Sequence, residues 1–183
     1  MKSVSIVGAG MSPATVTQQG WQELQQADVL LGAPRLLDAY AGLQKPVYAG
    51  YAPDQVARLV GESACERFAV LVSGDTGFYS AADGLCRALA DCRVQLVPGV
   101  SSLSYFFAKL EKPWQEAALL SCHGRKENLV DTVRRNRLTF ALTGGNLRVL
   151  AEALAEAGFG ALNTWVGENL GMTDERILSL NVA

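Results

Sequence analysis

The chain has 183 residues, 49% of them hydrophobic, and 16 Lys and Arg against 18 Asp and Glu leave a formal charge of −2. That apolar share is ample for a packed core in one large domain or two small ones, and the near-neutral balance excludes a nucleic-acid binder working through a broad basic face. The four cysteines form no CxxC pair and the single histidine cannot complete a Cys/His zinc set, so no metal is expected and reduced thiols in the cytoplasm fit. The first apolar run is too short for a signal peptide and no later run is long enough to cross a bilayer, so a cytoplasmic protein without a membrane partner is expected.

Apolar runs and helical spacing alternate along the chain. Residues 3–7 read as a buried strand, 14–26 as a helix, Val29-Leu30-Leu31 as a strand closed by Gly32, and 35–40 as a short helix. Val47-Tyr48 reads as a minor strand, 54–65 as a helix with Pro53 at its start, 68–72 as a strand and 80–90 as a helix. A strand at 93–97 leads into a helix at about 101–110, and Glu111-Lys112-Pro113-Trp114 breaks the pattern. The domain boundary is placed there, giving domains 1–112 and 113–183. The second half continues with strands near 117–121, 138–142 and 162–166 and helices near 126–135 and 146–157, so the architecture is α/β throughout.

The most telling segments are two strand-to-helix turns, Val72-Ser73-Gly74-Asp75-Thr76-Gly77 and Val97-Pro98-Gly99-Val100-Ser101-Ser102. Each brings small polar residues to the end of a strand, where helix-start N–H groups can hold polar groups of a ligand. In an open parallel sheet that carboxyl edge is where ligands bind. The plainer reading is that Asp75 caps a helix beginning at Phe78 and that Ser101 and Ser102 cap theirs, each worth about 1 kcal/mol. Gly8-Ala9-Gly10 after the first strand has the opening of a dinucleotide turn, but Pro13 stands where the third glycine belongs, and no acid closes the next strand because Asp28 precedes it. A nicotinamide or flavin fold is not expected. Phe106, Phe107, Trp114 and Trp165 are read as core, and Arg134, Arg135 and Arg137 as an exposed helix end.

The order Val7-Gly8-Ala9-Gly10, Ala27-Asp28-Val29-Leu30-Leu31-Gly32, Gly74-Asp75 and Pro98-Gly99-Val100-Ser101-Ser102 resembles the tetrapyrrole methylases over nearly the whole chain. Gly32-Ala33-Pro34-Arg35-Leu36-Leu37, the run 73–80, Ser121-Cys122-His123-Gly124-Arg125 and the run 166–177 look like the branch that methylates C5 of precorrin-7, the C5-methylating half of precorrin-6Y C5,15-methyltransferase. The resemblance implies a two-domain tetrapyrrole methylase fold with a cleft between the domains, S-adenosylmethionine as cofactor, and a homodimer. It implies methylation of C5 of precorrin-7 or cobalt-precorrin-7 in cobalamin biosynthesis; alternatives are another tetrapyrrole position or a non-catalytic tetrapyrrole-binding subunit. Gly74, Asp75, Thr76, Tyr79, Ser101, Ser102, Ser121, Cys122, Leu142, Thr143 and Gly144 are the implied cofactor residues. Gly8, Gly10, Met11, Arg35, His123 and Arg125 are the implied substrate residues, the arginines as forks for acetate and propionate carboxylates. One departure is that Met11-Ser12-Pro13 replaces the family's Gly-x-Gly-Pro-Gly run. The chain also ends soon after Ile177, so C15 methylation and decarboxylation are expected of a separate protein.

Methyl transfer from a sulfonium needs in-line geometry and a nucleophilic carbon, which a reduced tetrapyrrole supplies itself. The enzyme then works by positioning and by excluding water, for which effective molarities on the order of 10⁵ M are attainable. Proton loss afterwards wants a base, and Asp75 or His123 is the candidate, for a contribution of roughly 10²–10⁴-fold.

Overall fold

The computed structural model describes residues 1–123 and 128–183, in two compact units, Met1–Tyr105 and Phe106–Ala183. The division falls inside a helix, ahead of the break at Pro113.

The first unit is a five-stranded, all-parallel sheet in the order β3-β2-β4-β1-β5. Its strands are β1 (Ser3–Gly8), β2 (Val29–Gly32), β3 (Val47–Ala49), β4 (Arg67–Val72) and β5 (Arg93–Val97). β2 and β4 are near-continuous apolar runs because both faces are covered, β1 alternates half-buried Ser3 and Ser5 with buried Val4 and Ile6, and β3 and β5 form the edges and are largely exposed. Alternate residues serve opposite faces. Val7, Leu30, Ala69, Leu71 and Val97 pack with Leu24 of α1 (Gln18–Gln26) and with Leu36, Leu37 and Tyr40 of and beside α2 (Pro34–Ala39). Val4, Ile6, Val29, Leu31, Phe68 and Val70 pack on the other face with Val56 and Val60 of α3 (Pro53–Glu62) and with Leu85 of α4 (Ala82–Ala88). Right-handed crossovers demand this split, since β1 and β2 pass leftward in the sheet and β3 and β4 rightward. Neighbouring β1 and β4 therefore send their chains to opposite faces, which opens a crevice outside their carboxyl ends.

α5 (Ser102–Lys109) spans the division. The second unit pairs β6 (Ala118–Ser121) in parallel with β7 (Thr139–Leu142), and β8 (Asn163–Glu168) antiparallel with β9 (Arg176–Asn181). Leu120, Cys122, Leu129 of α6 (Leu129–Arg135) and Leu154 of α7 (Leu147–Leu154) form its buried cluster. Phe106 and Phe107 are buried with Phe140, their ring centroids 6.2 and 6.1 Å from it. Trp114 departs from its predicted core role: it is 44% exposed in the polar stretch before β6.

The strands fall where the apolar runs place them, and the deviations are at helix ends. α1 starts at Gln18 rather than 14, because the Thr17 side chain accepts from Gly20 N–H and Thr15 is used by the preceding loop. α4 starts at Ala82 rather than 80, with Ser80 Oγ accepting from Ala82 N–H. α7 gives way after Leu154 to a wider turn, Ala155–Phe159, ended by Gly158 at a φ of 88°. β9 is unpredicted. Its partner is β8, and the run 166–177 spans the hairpin between them, whose loop binds itself: Arg176 pairs with Glu168, Asn169 Nδ2 donates to Asp174 at 2.8 Å, and Gly171 N–H donates to Glu175 at 2.7 Å.

Candidate functional site

The carboxyl edge of the first sheet collects the segments singled out in the sequence, since β1, β2, β4 and β5 end at Gly8, Gly32, Val72 and Val97. At the crevice the loops after β1 and β4 join through paired bonds, Gly10 N–H to Gly74 O and Gly74 N–H to Gly10 O, both 3.1 Å. Gly10 and Gly74 each have a φ of +67°, which side chains rarely adopt. The loop after β5 lies against this pair. A Cβ on Gly99 would be driven into Gly74 O and come within 2.5 Å of Gly8 O, and one on Gly8 would sit 2.6 Å from Gly99 N. Three loops thus meet backbone to backbone.

Side chains fix each loop. The Asp75 carboxylate accepts from Gly77 N–H at 2.8 Å and from Gly99 N–H at 3.0 Å, tying the β4 loop to the β5 loop. It does not cap a helix at Phe78, because that stretch is a turn and α4 opens later. Ser101 Oγ accepts from Ser104 N–H at 3.1 Å at the start of α5, as the capping reading expects, and is buried. Thr15 Oγ1 accepts from Met11 N–H at 2.8 Å and Ser12 N–H at 3.0 Å, which shapes the loop that departs from the family run. Tyr40 donates to Ala9 O at 2.9 Å from a buried position, and that burial pushes its phenol up to about 12. Neither Thr15 nor Tyr40 is singled out by the sequence, since each acts through bonds to a loop backbone that no motif records.

Gly74, Asp75, Thr76, Tyr79, Ser101 and Ser102 are therefore together at this edge, Asp75, Thr76, Tyr79 and Ser102 half-buried. Met11 is half-buried on the β1 loop, and Arg35 is exposed in the first turn of α2, just after β2, without an ion pair among the described residues. Asp28 stands at the opposite, amino edge. There Arg67 N–H bonds it at 2.9 Å and the Arg67 guanidinium at 3.1 Å, and these hold its carboxyl below the usual range. A shallow pocket of about 200 Å³ also lies at that amino edge, but its Glu23 carboxylate is already taken by Ser5 Oγ at 2.6 Å and Gln95 Nε2 at 3.2 Å.

The second unit has a carboxyl edge of its own. Cys122 N–H donates to Leu142 O at 2.8 Å, which brings Ser121, Cys122 and His123 beside Leu142, Thr143 and Gly144. A Cβ on Gly144, whose φ is +58°, would lie 2.6 Å from His123 Nδ1, so glycine is needed for the histidine to pack there. Ser121 and Cys122 are buried and His123 is exposed. Arg125 lies outside the described residues. Among the described residues no three His, Cys, Asp or Glu side chains gather as a metal set, and no helix is long and apolar enough to cross a membrane.

The dinucleotide reading is disfavoured by geometry as well as by spacing. α1 does not open from the glycine turn but at Gln18, after a separate turn at Pro13–Thr15, so no helix N-terminus follows Gly10 directly.

The sequence model of the tetrapyrrole (corrin/porphyrin) methylases matches residues 3–183. The cobalt-precorrin-7 C(5)-methyltransferase of Salmonella typhimurium is 30% identical over 186 aligned positions, covering 95% of this chain and 89% of that protein. The decarboxylating precorrin-6Y C(5,15)-methyltransferase of Sinorhizobium sp is 36% identical over 114, covering 59% of this chain and only 27% of that longer protein. The crystal structure of a precorrin-6Y methylase from Archaeoglobus fulgidus shares the fold at a TM-score of 0.73 with 22% identity, covering 100% of this chain and 90% of that one.

Proposed function

Because the chain belongs to the tetrapyrrole methylases, enzymes that take a methyl group from S-adenosylmethionine, we propose that it methylates C5 of precorrin-7 or of its cobalt complex in cobalamin biosynthesis. The observation that carries this reading is the 30% identity to a cobalt-precorrin-7 C(5)-methyltransferase along 95% of the chain.

In the first unit, Gly74, Thr76, Tyr79, Ser101 and Ser102 are the proposed cofactor-binding residues, with Asp75 bonded to the backbone of both turns that carry them. The residues present fit such a group: the crevice at the strand switch is lined by backbone and small polar side chains, and the start of α5 leaves N–H groups there. In the second unit the proposal rests on Ser121, Cys122, Leu142, Thr143 and Gly144 at the edge of its own sheet. When bound, the sulfonium supplies the electrophilic methyl group, and the attacking carbon belongs to the tetrapyrrole. The chain's part is orientation: Thr15 and Tyr40 hold the β1 loop, and the Gly8, Gly74 and Gly99 contacts keep the three loops from shifting. Gly8, Gly10, Met11 and Arg35 are the proposed substrate side of this edge. His123 and Arg125 extend that proposal to the second unit, with His123 as the candidate proton acceptor.

The test incubates the enzyme with S-adenosylmethionine and precorrin-7, with and without cobalt, and follows S-adenosylhomocysteine release. Product that depends on the tetrapyrrole is expected; calorimetric binding of the tetrapyrrole without any binding of S-adenosylmethionine would instead mark a carrier. We propose a cytoplasmic homodimer, supported by four free thiols and by the family, with an interface on the order of 1,600 Å² or more. Light scattering at micromolar concentration should give twice the 19.5 kDa chain mass, and a stable monomer would refute it.

A further inference from the structure

Asp75 is the one carboxylate that sequence reasoning assigns both to cofactor contact and to proton transfer, and its bonding fits neither role directly. Oδ1 accepts from Gly77 N–H at 2.8 Å, within its own turn, and Oδ2 accepts from Gly99 N–H at 3.0 Å, on the loop after the next-but-one strand of the sheet. Both oxygens are committed to backbone of the chain itself. The Gly99 bond is also the one that seats the β5 loop where a Cβ would strike Gly74 O and approach Gly8 O to 2.5 Å. Ser101, which caps α5, follows two residues later, so the same bond sets where α5 begins.

We infer that Asp75 is a positioning residue: it straps the β5 loop onto the β4 loop and thereby sets the spacing of the two cofactor-facing turns, without taking the proton released after methylation. The inference rests on the cofactor placement proposed above. Removing the strap frees the Pro98–Ser101 turn to move relative to Gly74–Thr76, so a cofactor held by both turns loses contacts to one of them. The loss falls on cofactor binding, because chemistry in a complex that does form uses the same groups. A general base behaves oppositely, since its loss depresses turnover by about 10²–10⁴-fold at saturating cofactor.

The substitution Asp75→Asn keeps one acceptor oxygen and sets an NH₂ group against the other N–H, so it breaks one bond with almost no change of volume. Asp75→Glu keeps both acceptors on a longer arm. Calorimetry with S-adenosylhomocysteine, steady-state kinetics across pH and thermal unfolding are measured on the full chain for the wild type and both variants. The expected result for Asp75→Asn is ten- to hundredfold weaker S-adenosylhomocysteine binding, a raised KM for S-adenosylmethionine, turnover at saturation within about threefold of the wild type and an unchanged shape of the pH–rate profile, with partial recovery of affinity in Asp75→Glu. A hundredfold or greater loss of turnover at saturation, with affinity intact and the acid limb of the profile lost, would overturn the inference in favour of a base. A lowered Tm with unchanged affinity and KM would overturn it in favour of a purely structural bond. Failure of the wild type to bind S-adenosylhomocysteine would instead refute the cofactor reading beneath it, so the two failures are distinguishable.

Discussion

Tyr40→Phe removes one hydroxyl and nothing else, and its consequence can be worked from a single bond. The phenol donates to Ala9 O at 2.9 Å, and Tyr40 and Ala9 are 3% and 2% exposed, so water cannot replace the lost donor. Leaving a buried carbonyl without its partner costs about 1–3 kcal/mol. For a chain of this size a loss of about 2 kcal/mol lowers Tm by roughly 4–8 °C. The pH dependence has a definite sign. Burial raises the phenol from the ordinary value of 10.0 to about 12 in the folded chain, so the stabilisation is fully present below pH 10 and is lost as pH rises toward 12, when the unfolded state gives up its proton first. Two pH units at about 1.4 kcal/mol each make that loss about 2–3 kcal/mol, close to the whole value of the bond. Thermal and urea unfolding of wild type and variant at pH 7, 9, 10 and 11 are the assay. The variant should be less stable at pH 7 and the gap should narrow above pH 10. Equal stability at pH 7, or a gap that stays constant through pH 11, would refute the role given to this hydroxyl.

Gly99→Ala puts a Cβ among main-chain atoms that cannot rotate away, so a loss of about 3 kcal/mol is expected by urea unfolding, together with weakened S-adenosylhomocysteine binding; a stable variant with normal affinity would contradict the close packing of the three loops. Arg35→Ala should weaken precorrin binding about ten- to hundredfold and leave cofactor binding nearly unchanged, because a charge-assisted hydrogen bond contributes roughly 1.5–3 kcal/mol. Unchanged precorrin affinity, read by fluorescence titration, would make Arg35 a surface charge. Thr15→Val strips the acceptor from Met11 N–H and Ser12 N–H and should destabilise by about 1–3 kcal/mol in denaturant titration, against no change if the loop holds itself. At the amino edge, Asp28 titrates below its ordinary range, so its contribution to stability is present at neutral pH and lost as pH falls through the depressed value; acid unfolding of Asp28→Asn should be less steep than that of the wild type, and an identical acid limb would refute this.

Strands and their order of appearance were legible because a parallel sheet covered on both faces writes unbroken apolar runs, as in Phe68–Val72 and Val29–Leu31. The two loops after β4 and β5 were legible for the same reason: glycine and small polar residues stand at strand ends. What periodicity does not carry is where a side chain chooses to bond. Thr15 and Thr17 delay α1 by spending their hydroxyls on nearby backbone, and Asp75 spends both oxygens across two loops. Tyr40 reaches a carbonyl 31 residues away, which no local pattern announces. The run 166–177 stood out as a motif, yet much of its polarity serves the hairpin itself through Glu168, Asn169, Asp174 and Glu175. β9 went unread because its exposed, mixed sequence lies beyond a loop too long to signal a tight turn.

Methyl transfer to a single carbon of the tetrapyrrole can be followed by isotope label. S-adenosylmethionine carrying a ¹³C-labelled methyl group is incubated with the enzyme and with precorrin-7 or its cobalt complex, and the product is examined by mass spectrometry and carbon NMR. One labelled methyl group, bonded at C5, is expected on at least one of the two substrates. Label at a different carbon, or no transfer to either substrate by a chain that binds S-adenosylhomocysteine, would contradict C5 methylation.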